Sequence, residues 1–396
     1  MSEPDPQPKL DFSDTHIAFR NKTDKELKKT AWLFNMMNHH LLIGIATKIG
    51  YFAVKWRLPF TEFFVKKTIF EQFCGGENLM DCQRVIDRLY EQNALTILDY
   101  GAEGKSNEDD MNSVVEETLR AIEMAASNDS VPMISTKITG LVDPDILEKL
   151  NRRDDLSASD KRGFEGLTER LDTICEKADE HKVGIFIDAE ETWIQDPIDN
   201  LAMDMMSKYN HVKAIVYNTY QMYRKDSLQR LKNDHQKAQE KGFILGAKLV
   251  RGAYMEKERL RAQQKGYHSP IHDSKDNTDN DFNEAIRYCV DNYETIASCC
   301  ASHNEFSNAL QSRLMSEKDI DKDHAHLNFC QLYGMSDHIT FNLADSGYNV
   351  AKYVVYGPVR EVVPYLIRRT EENSSVTGEM GRELTYIQKE MHRRGL

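Results

Sequence analysis

The sequence lacks the marks of several protein classes. It has no basic excess: 51 lysines and arginines against 64 aspartates and glutamates leave a formal net charge of -13, the wrong sign for a nucleic-acid partner. It has no CxxC pair. Its seven cysteines (Cys74, Cys82, Cys175, Cys289, Cys299, Cys300, Cys330) are odd in number and scattered, so neither a disulfide framework nor a zinc site is legible, and a reducing compartment is expected. Met1 to Leu10 show neither the basic start and apolar run of a secretory signal nor an arginine-rich transit peptide, which predicts a cytoplasmic chain of bacterial type. No GxGxxG follows the early strand-like runs and no GxxxxGKS or GxxxxGKT occurs, so the phosphate cradles of the Rossmann and P-loop folds are missing.

Long apolar runs are missing too. Thr30 to Lys48 comes nearest, but Asn35, Asn38, His39 and His40 interrupt it, and it falls short of the roughly 20 apolar residues of a spanning helix. It reads as a buried or partner-facing helix. Phe52, Trp56, Phe60, Phe63 and Phe64 follow, interleaved with Lys55, Arg57, Lys66 and Lys67. That pattern suits packing on the main domain first and peripheral contact with a membrane surface second.

What the chain does have is alternation. With 396 residues, 40% of them hydrophobic, it can bury a large core. Residues 1–93 read as an N-terminal helical region. From residue 94 onward, eight short apolar or β-branched runs recur: Ala94–Leu98, Pro132–Thr136, Val183–Ile187, Ala214–Tyr217, Gly246–Val250, Ile296–Cys300, His326–Cys330 and Lys352–Tyr356. Helical patterns such as Val114–Ala126, Arg162–Asp179, Leu228–Lys241 and Phe282–Glu294 separate them. Eight such units predict an α/β fold, a (β/α)8 TIM-type barrel over residues 94–396, with a doubly wound sheet as the alternative. Gln264 to Asp281 reads as a polar surface loop. Its His268 and His272 are separated by Pro270, which spoils helical ligand spacing, so no metal site is expected.

Barrel chemistry sits at the C-terminal ends of the strands. There the sequence places Asp99, Lys137, Asp188, Gln221, the stretch Lys248 to Tyr254, Ser302-His303-Asn304 and Tyr353. Taken singly, such residues more often cap helices or snorkel to solvent. The segment Tyr365 to Asn373 adds Arg368 and Arg369, which point about 100° apart on a helix, and paired guanidinium forks suit a carboxylate. Glu372, three and four residues beyond them, is placed to brace either head.

Four motifs occur together and in order: Leu249-Val250-Arg251-Gly252-Ala253-Tyr254, Ser302-His303-Asn304, Tyr356-Gly357-Pro358-Val359, and Tyr365-Leu366-Ile367-Arg368-Arg369-x-x-Glu372-Asn373. In these the chain resembles the proline dehydrogenase family over roughly Ala94 to Ser375, and looks like its monofunctional, eukaryotic-type branch. The resemblance implies FAD-dependent oxidation of L-proline to Δ1-pyrroline-5-carboxylate, with hydride passing from C5 to flavin N5 and electrons to a quinone. It implies that Arg368, Arg369 and Lys137 hold the substrate carboxylate, and that Leu249, Ala253, Tyr254, Tyr353 and Tyr365 line the ring. By the same match, Asp188 bonds Tyr353, and Glu103 pairs with Arg368 as a gate. FAD contacts are implied at Gln221, Lys248, Val250, Arg251, Gly252, Ala253, Ser302, His303, Asn304, Glu372 and Ser375. Related hydroxyproline dehydrogenases carry serine at the position of Tyr353, so proline is the expected substrate; a hydroxyproline dehydrogenase and a flavin-free binding barrel are the alternatives.

Overall fold

A computed structural model describes residues 10–37, 61–101, 107–375 and 379–396; the side chains of 371–375, 379 and 380 stand outside that description. Nine strands follow in chain order: β1 Cys74–Gly76, β2 Leu95–Tyr100, β3 Met133–Thr136, β4 Gly184–Ile187, β5 Val216–Gln221, β6 Leu245–Val250, β7 Ile296–Ala301, β8 Leu327–Leu332 and β9 Val350–Tyr356. Strands β2 to β9 pair in sequence, all parallel, and β9 closes back onto β2 and β8. The result is the (β/α)8 barrel that the strand-helix alternation predicts.

Each expected strand is present, with shifted ends. The fourth, β5, begins at Val216 and runs to Gln221, because Ile215 and Val216 first spend their N–H groups on Asn210 Oδ1, each at 2.9 Å. Two expectations need correction. Cys74–Gly76, inside a region read as helical, is a short strand that pairs with Val355 and Tyr356 of β9, as a Cys-Gly-Gly run with little helix propensity allows. The polar insert is only partly loop, since a helix starts at Lys275, capped by the Ser274 side chain, and runs to Asp291.

Alternation along the strands sets what each face carries. Leu98, Ile134, Ile185, Leu245, Ala247, Leu249, Phe329 and Val354 join the core between sheet and helices. Ile97, Phe186, Tyr217, Cys299, Cys330, Tyr353 and Val355 fill the barrel interior. At Gly246 a Cβ would run into the backbone of Val216 and Tyr217, so β5 and β6 can approach there only around glycine.

The termini meet. Helices Thr15–Phe19 and Asp24–Met37 pack on the last helix, Glu379–Arg393. Arg394 donates to the carbonyls of Phe19 (2.8 Å) and Lys22 (2.7 Å), and Thr15 donates to the buried Glu390 at 3.0 Å. Nearby, Asp337 takes Lys352 at 2.8 Å and Lys22 at 3.2 Å, tying the N-terminal helices to the barrel wall. Of the predicted apolar segment, Leu33, Phe34 and Met37 are buried, whereas Phe63 and Phe64 are exposed; Asn38, His39, His40, Phe52, Trp56 and Phe60 lie outside the described residues.

Candidate active site

The inward positions at the C-terminal ends of β2, β3, β4, β6 and β9 bring four charges into one row. Asp99 ends the inward face of β2, with Ile97 two residues before it in the interior. Its carboxylate oxygens lie 3.0 and 3.2 Å from Lys137 Nζ. Lys137 follows β3 directly and lies 3.5 Å from Asp188 Oδ2. Asp188 follows β4, and its Oδ1 accepts from Lys248 Nζ at 2.5 Å. The row alternates in sign and sums to zero, so each buried charge has an opposite neighbour.

Tyr353 completes the row. Its single hydroxyl proton goes to the Asp188 carboxylate at 2.6 Å, the stronger acceptor, which leaves Ser135 Oγ at 2.7 Å as the donor to Tyr353 Oη. Lys248 lies 4.8 Å from the centre of the Tyr353 ring and 4.9 Å from that of Phe186, a cation held between two aromatic faces. Burial alone would raise Asp188, but Lys248 and then Lys137 hold its carboxyl down to about 2. Asp99 goes the other way: burial raises it, Lys137 opposes, and the Asp188 charge adds to the rise.

Above this row runs the helix Val359–Ser375. Arg368 lies with its guanidinium 5.6 Å from the centre of the Tyr254 ring. Arg369 is buried, with Nη1 3.8 Å from Met335 Sδ. The two neighbours thus point differently, as helical geometry requires. Tyr365, one turn earlier, packs on the interior cluster, and its buried Oη has no hydrogen-bond partner among the described residues.

On the far side, Gln221 at the end of β5 donates to Glu190 O at 2.7 Å. Arg251 is already committed: Nε to Asp279 at 2.6 Å, Nη1 to Ser302 Oγ at 2.6 Å, Nη2 to Ser307 Oγ at 3.0 Å, over the Phe282 ring at 4.3 Å. Gly252 has φ +130, and a Cβ there would meet the Tyr223 ring at 2.5 Å, so Tyr223 fills the space the glycine leaves. His303 Nδ1 lies 2.8 Å from Ser336 Oγ, to which it donates when Nε2 accepts from Leu332 N at 3.4 Å. Burial, then Arg369 and Lys352, push its pKa well down, so the ring is neutral and accepts at Nε2. Asn304 caps the next helix through Ser307 N at 3.1 Å.

Lys137, Asp188, Lys248 and Tyr353 therefore share one cluster. Val250 follows Lys248 on the inward face, and Ala253 and Tyr254 stand at the rim. Leu249 is a correction. It points opposite to Lys248 and is fully buried among Leu245, Ala247 and the helices, because strand alternation turns every second side chain away from the interior. Leu332, which ends β8 and packs on the interior cluster with Tyr353 and Tyr365, is the apolar side chain on the correct face. Glu103 lies outside the described residues, as do the side chains of Glu372 and Ser375. Sequence reasoning gave no role to Asp99, Ser135 or Asp279. Asp99 stood among the strand-end residues, and its parity with Ile97 on β2 points it inward; Asp279 sits 28 residues from Arg251, and no local signal connects them.

The family model for proline dehydrogenase matches residues 82–382. The chain is 34% identical to proline dehydrogenase 1, mitochondrial, of Dictyostelium discoideum, over 98% of this chain and 75% of that protein. It is 31% identical to proline dehydrogenase 2, mitochondrial, of Arabidopsis thaliana, over 100% and 92%. In fold it is similar to a crystal structure of proline utilization A from Bdellovibrio bacteriovorus inactivated by N-propargylglycine, with a TM-score of 0.74 and 20% identity over 95% of this chain and 42% of that one. With a family model spanning the barrel and relatives aligned along nearly its whole length, the chain belongs to the proline dehydrogenase family of proline-oxidising oxidoreductases.

Proposed function

We propose that the protein oxidises L-proline to Δ1-pyrroline-5-carboxylate with FAD as cofactor and a quinone as electron acceptor. The observation that supports this most is the charge-neutral row Asp99–Lys137–Asp188–Lys248 with two arginines on the helix above it. Two guanidinium groups above a row whose own charges alternate in sign suit a ligand bearing one carboxylate.

The residues present fit a flavin. Tyr365 offers a buried hydroxyl without a partner among the described residues, and His303 offers a neutral imidazole beside Ser302 and Asn304. Gln221, Lys248, Val250, Arg251, Gly252, Ala253, Ser302, His303, Asn304, Glu372 and Ser375 are the proposed contacts. When bound, the flavin supplies the acceptor for the hydride that leaves C5 of proline. The chain's own part is orientation: Arg368, Arg369 and Lys137 hold the carboxylate, while Ala253, Tyr254, Leu332, Tyr353 and Tyr365 confine the ring. Tyr353, pinned by Asp188, occupies the space a 4-hydroxyl needs, which favours proline over hydroxyproline.

The first 93 residues are proposed as a helical region joined to the barrel through β1. Among the described residues, no helix is long and apolar enough to cross a membrane. Exposed Phe63 and Phe64 near Lys66 and Lys67 support a peripheral membrane contact, and seven free, buried cysteines support a reducing, cytoplasmic setting. One experiment tests the reaction: anaerobic L-proline added to the purified protein should bleach the flavin band near ~450 nm, and a band that persists rejects it.

A further inference from the structure

The turn after β8 joins the flavin side of the barrel to the last helix. Ser336 stands at the N-cap of the helix Asp337–Asp345, yet its side chain makes no capping bond there, although serine ordinarily caps from this position. Its Oγ faces His303 Nδ1 instead, at 2.8 Å. Ser336 has φ 50 and ψ 42, a left-handed conformation that a residue with a Cβ keeps only where its surroundings hold it. The surroundings supply that grip. Glu383 of the last helix accepts from Ser336 N at 2.8 Å, Gln72 donates to Gly334 O at 2.8 Å, and Lys352 Nζ donates to Met335 O. Ser336 and Glu383 are 3% and 4% exposed, so water is a poor substitute for either bond. Glu383 lies just past the segment that the family model matches, 82–382.

Leu332 N can only donate, so its approach to His303 Nε2 at 3.4 Å leaves the proton of the neutral ring on Nδ1, toward Ser336. We propose that Glu383 is a positioning residue for the flavin site: by holding Ser336 N it keeps the left-handed turn, and through Ser336 Oγ it fixes His303 in one orientation and one tautomer. The inference rests on the proposed FAD reading for its ligand and on the geometry for its mechanism. The last helix, which packs on Thr15–Phe19 and Asp24–Met37, thereby takes part in the site.

The test compares Glu383→Leu, Glu383→Gln, Ser336→Ala and the double variant of Glu383→Leu with Ser336→Ala against wild type, as full-length chains. It reads the FAD dissociation constant from flavin fluorescence, and the ring-nitrogen NMR signals of His303 in histidine-labelled protein. In wild type one ring nitrogen should read as protonated and the other as bare. Glu383→Leu should weaken FAD binding about tenfold and average the two signals. Glu383→Gln should stay within about twofold of wild type, because burial already pushes the Glu383 carboxyl up and the amide oxygen still accepts from Ser336 N. The double variant should match Ser336→Ala, since Glu383 has nothing to act through once the hydroxyl is gone. Wild-type FAD affinity in Glu383→Leu, a loss in Glu383→Gln as large as in Glu383→Leu, or losses that add in the double variant overturn the proposal. If Glu383→Leu does not fold, Glu383→Asp, whose carboxylate stops short of Ser336 N, decides it by the same two readouts, and wild-type values there overturn it. A wild type that takes up no FAD rejects the flavin reading instead. The His303 signals, read without flavin, then support the Glu383 contact if they average in Glu383→Leu and overturn it if they do not.

Discussion

Tyr353 on β9 donates its hydroxyl to Asp188 at the end of β4 over 2.6 Å, across the barrel between two strands that are not neighbours in the sheet. The bond fixes the tyrosine ring over the site and at the same time satisfies one of the two oxygens of a buried carboxylate. Charge balance and the proposed choice of substrate therefore meet at one contact.

Replacing Tyr353 by serine opens the space above Asp188 and removes this bond. The expected outcome is a higher ratio of kcat/KM for trans-4-hydroxy-L-proline over L-proline. Steady-state kinetics with both substrates check it, and an unchanged or lower ratio rejects the size-exclusion role.

Lys248→Met takes away the cation that does most to hold Asp188 down to about 2. Its pKa then rises towards the ordinary carboxylate range, so the acid limb of the kcat/KM profile should move up by about one unit or more. The measurement is the pH profile of variant against wild type, and superimposable acid limbs would count against Asp188 being the group concerned.

Arg368→Ala should raise KM for proline by roughly 10- to 100-fold through the lost charge-assisted pair. Glu372→Ala should weaken proline binding less. Wild-type KM in the first variant would refute the carboxylate clamp; wild-type affinity in the second would show that the brace is unnecessary.

Asp337 pairs with fully buried Lys352 and with Lys22 of the N-terminal region. Asp337→Asn leaves a buried ammonium without its counter-charge, so unfolding free energy should fall by about 3–5 kcal/mol. Denaturant midpoints at neutral pH report it.

Acid should act through the same groups. Burial opposes, but their cations hold Asp188 and Asp337 at about 2, below the ordinary aspartate value of 3.8. A carboxylate depressed on folding contributes stability above its unfolded pKa and loses it as pH falls through the folded value. Each should therefore cost about 2 kcal/mol between pH ~4 and ~2, visible as a steepening of the melting temperature against pH that Asp337→Asn reduces.

The barrel was legible because parallel strands buried on both faces need continuous apolar runs, and all eight runs stand out from the helical texture around them. The strand Cys74–Gly76 was not, since three residues carry no period and what makes them a strand is Val355 and Tyr356, about 280 residues away. Leu249 shows a subtler limit. The motif that contains it locates the strand end, but only the parity fixed by Lys248 facing Asp188 shows that Leu249 faces the helices.

The sequence by itself determined the class of fold, the family and the identity of the cationic residues, because these depend on local periodicity and on motifs of fixed spacing. Tertiary structure alone decided that Lys137 belongs first to Asp99, that Arg251 is already bound by Asp279, and that the charges below the arginine pair cancel. Those are pairings between distant strand ends, set by barrel closure and register, and no pattern along one strand encodes which charge will stand opposite another.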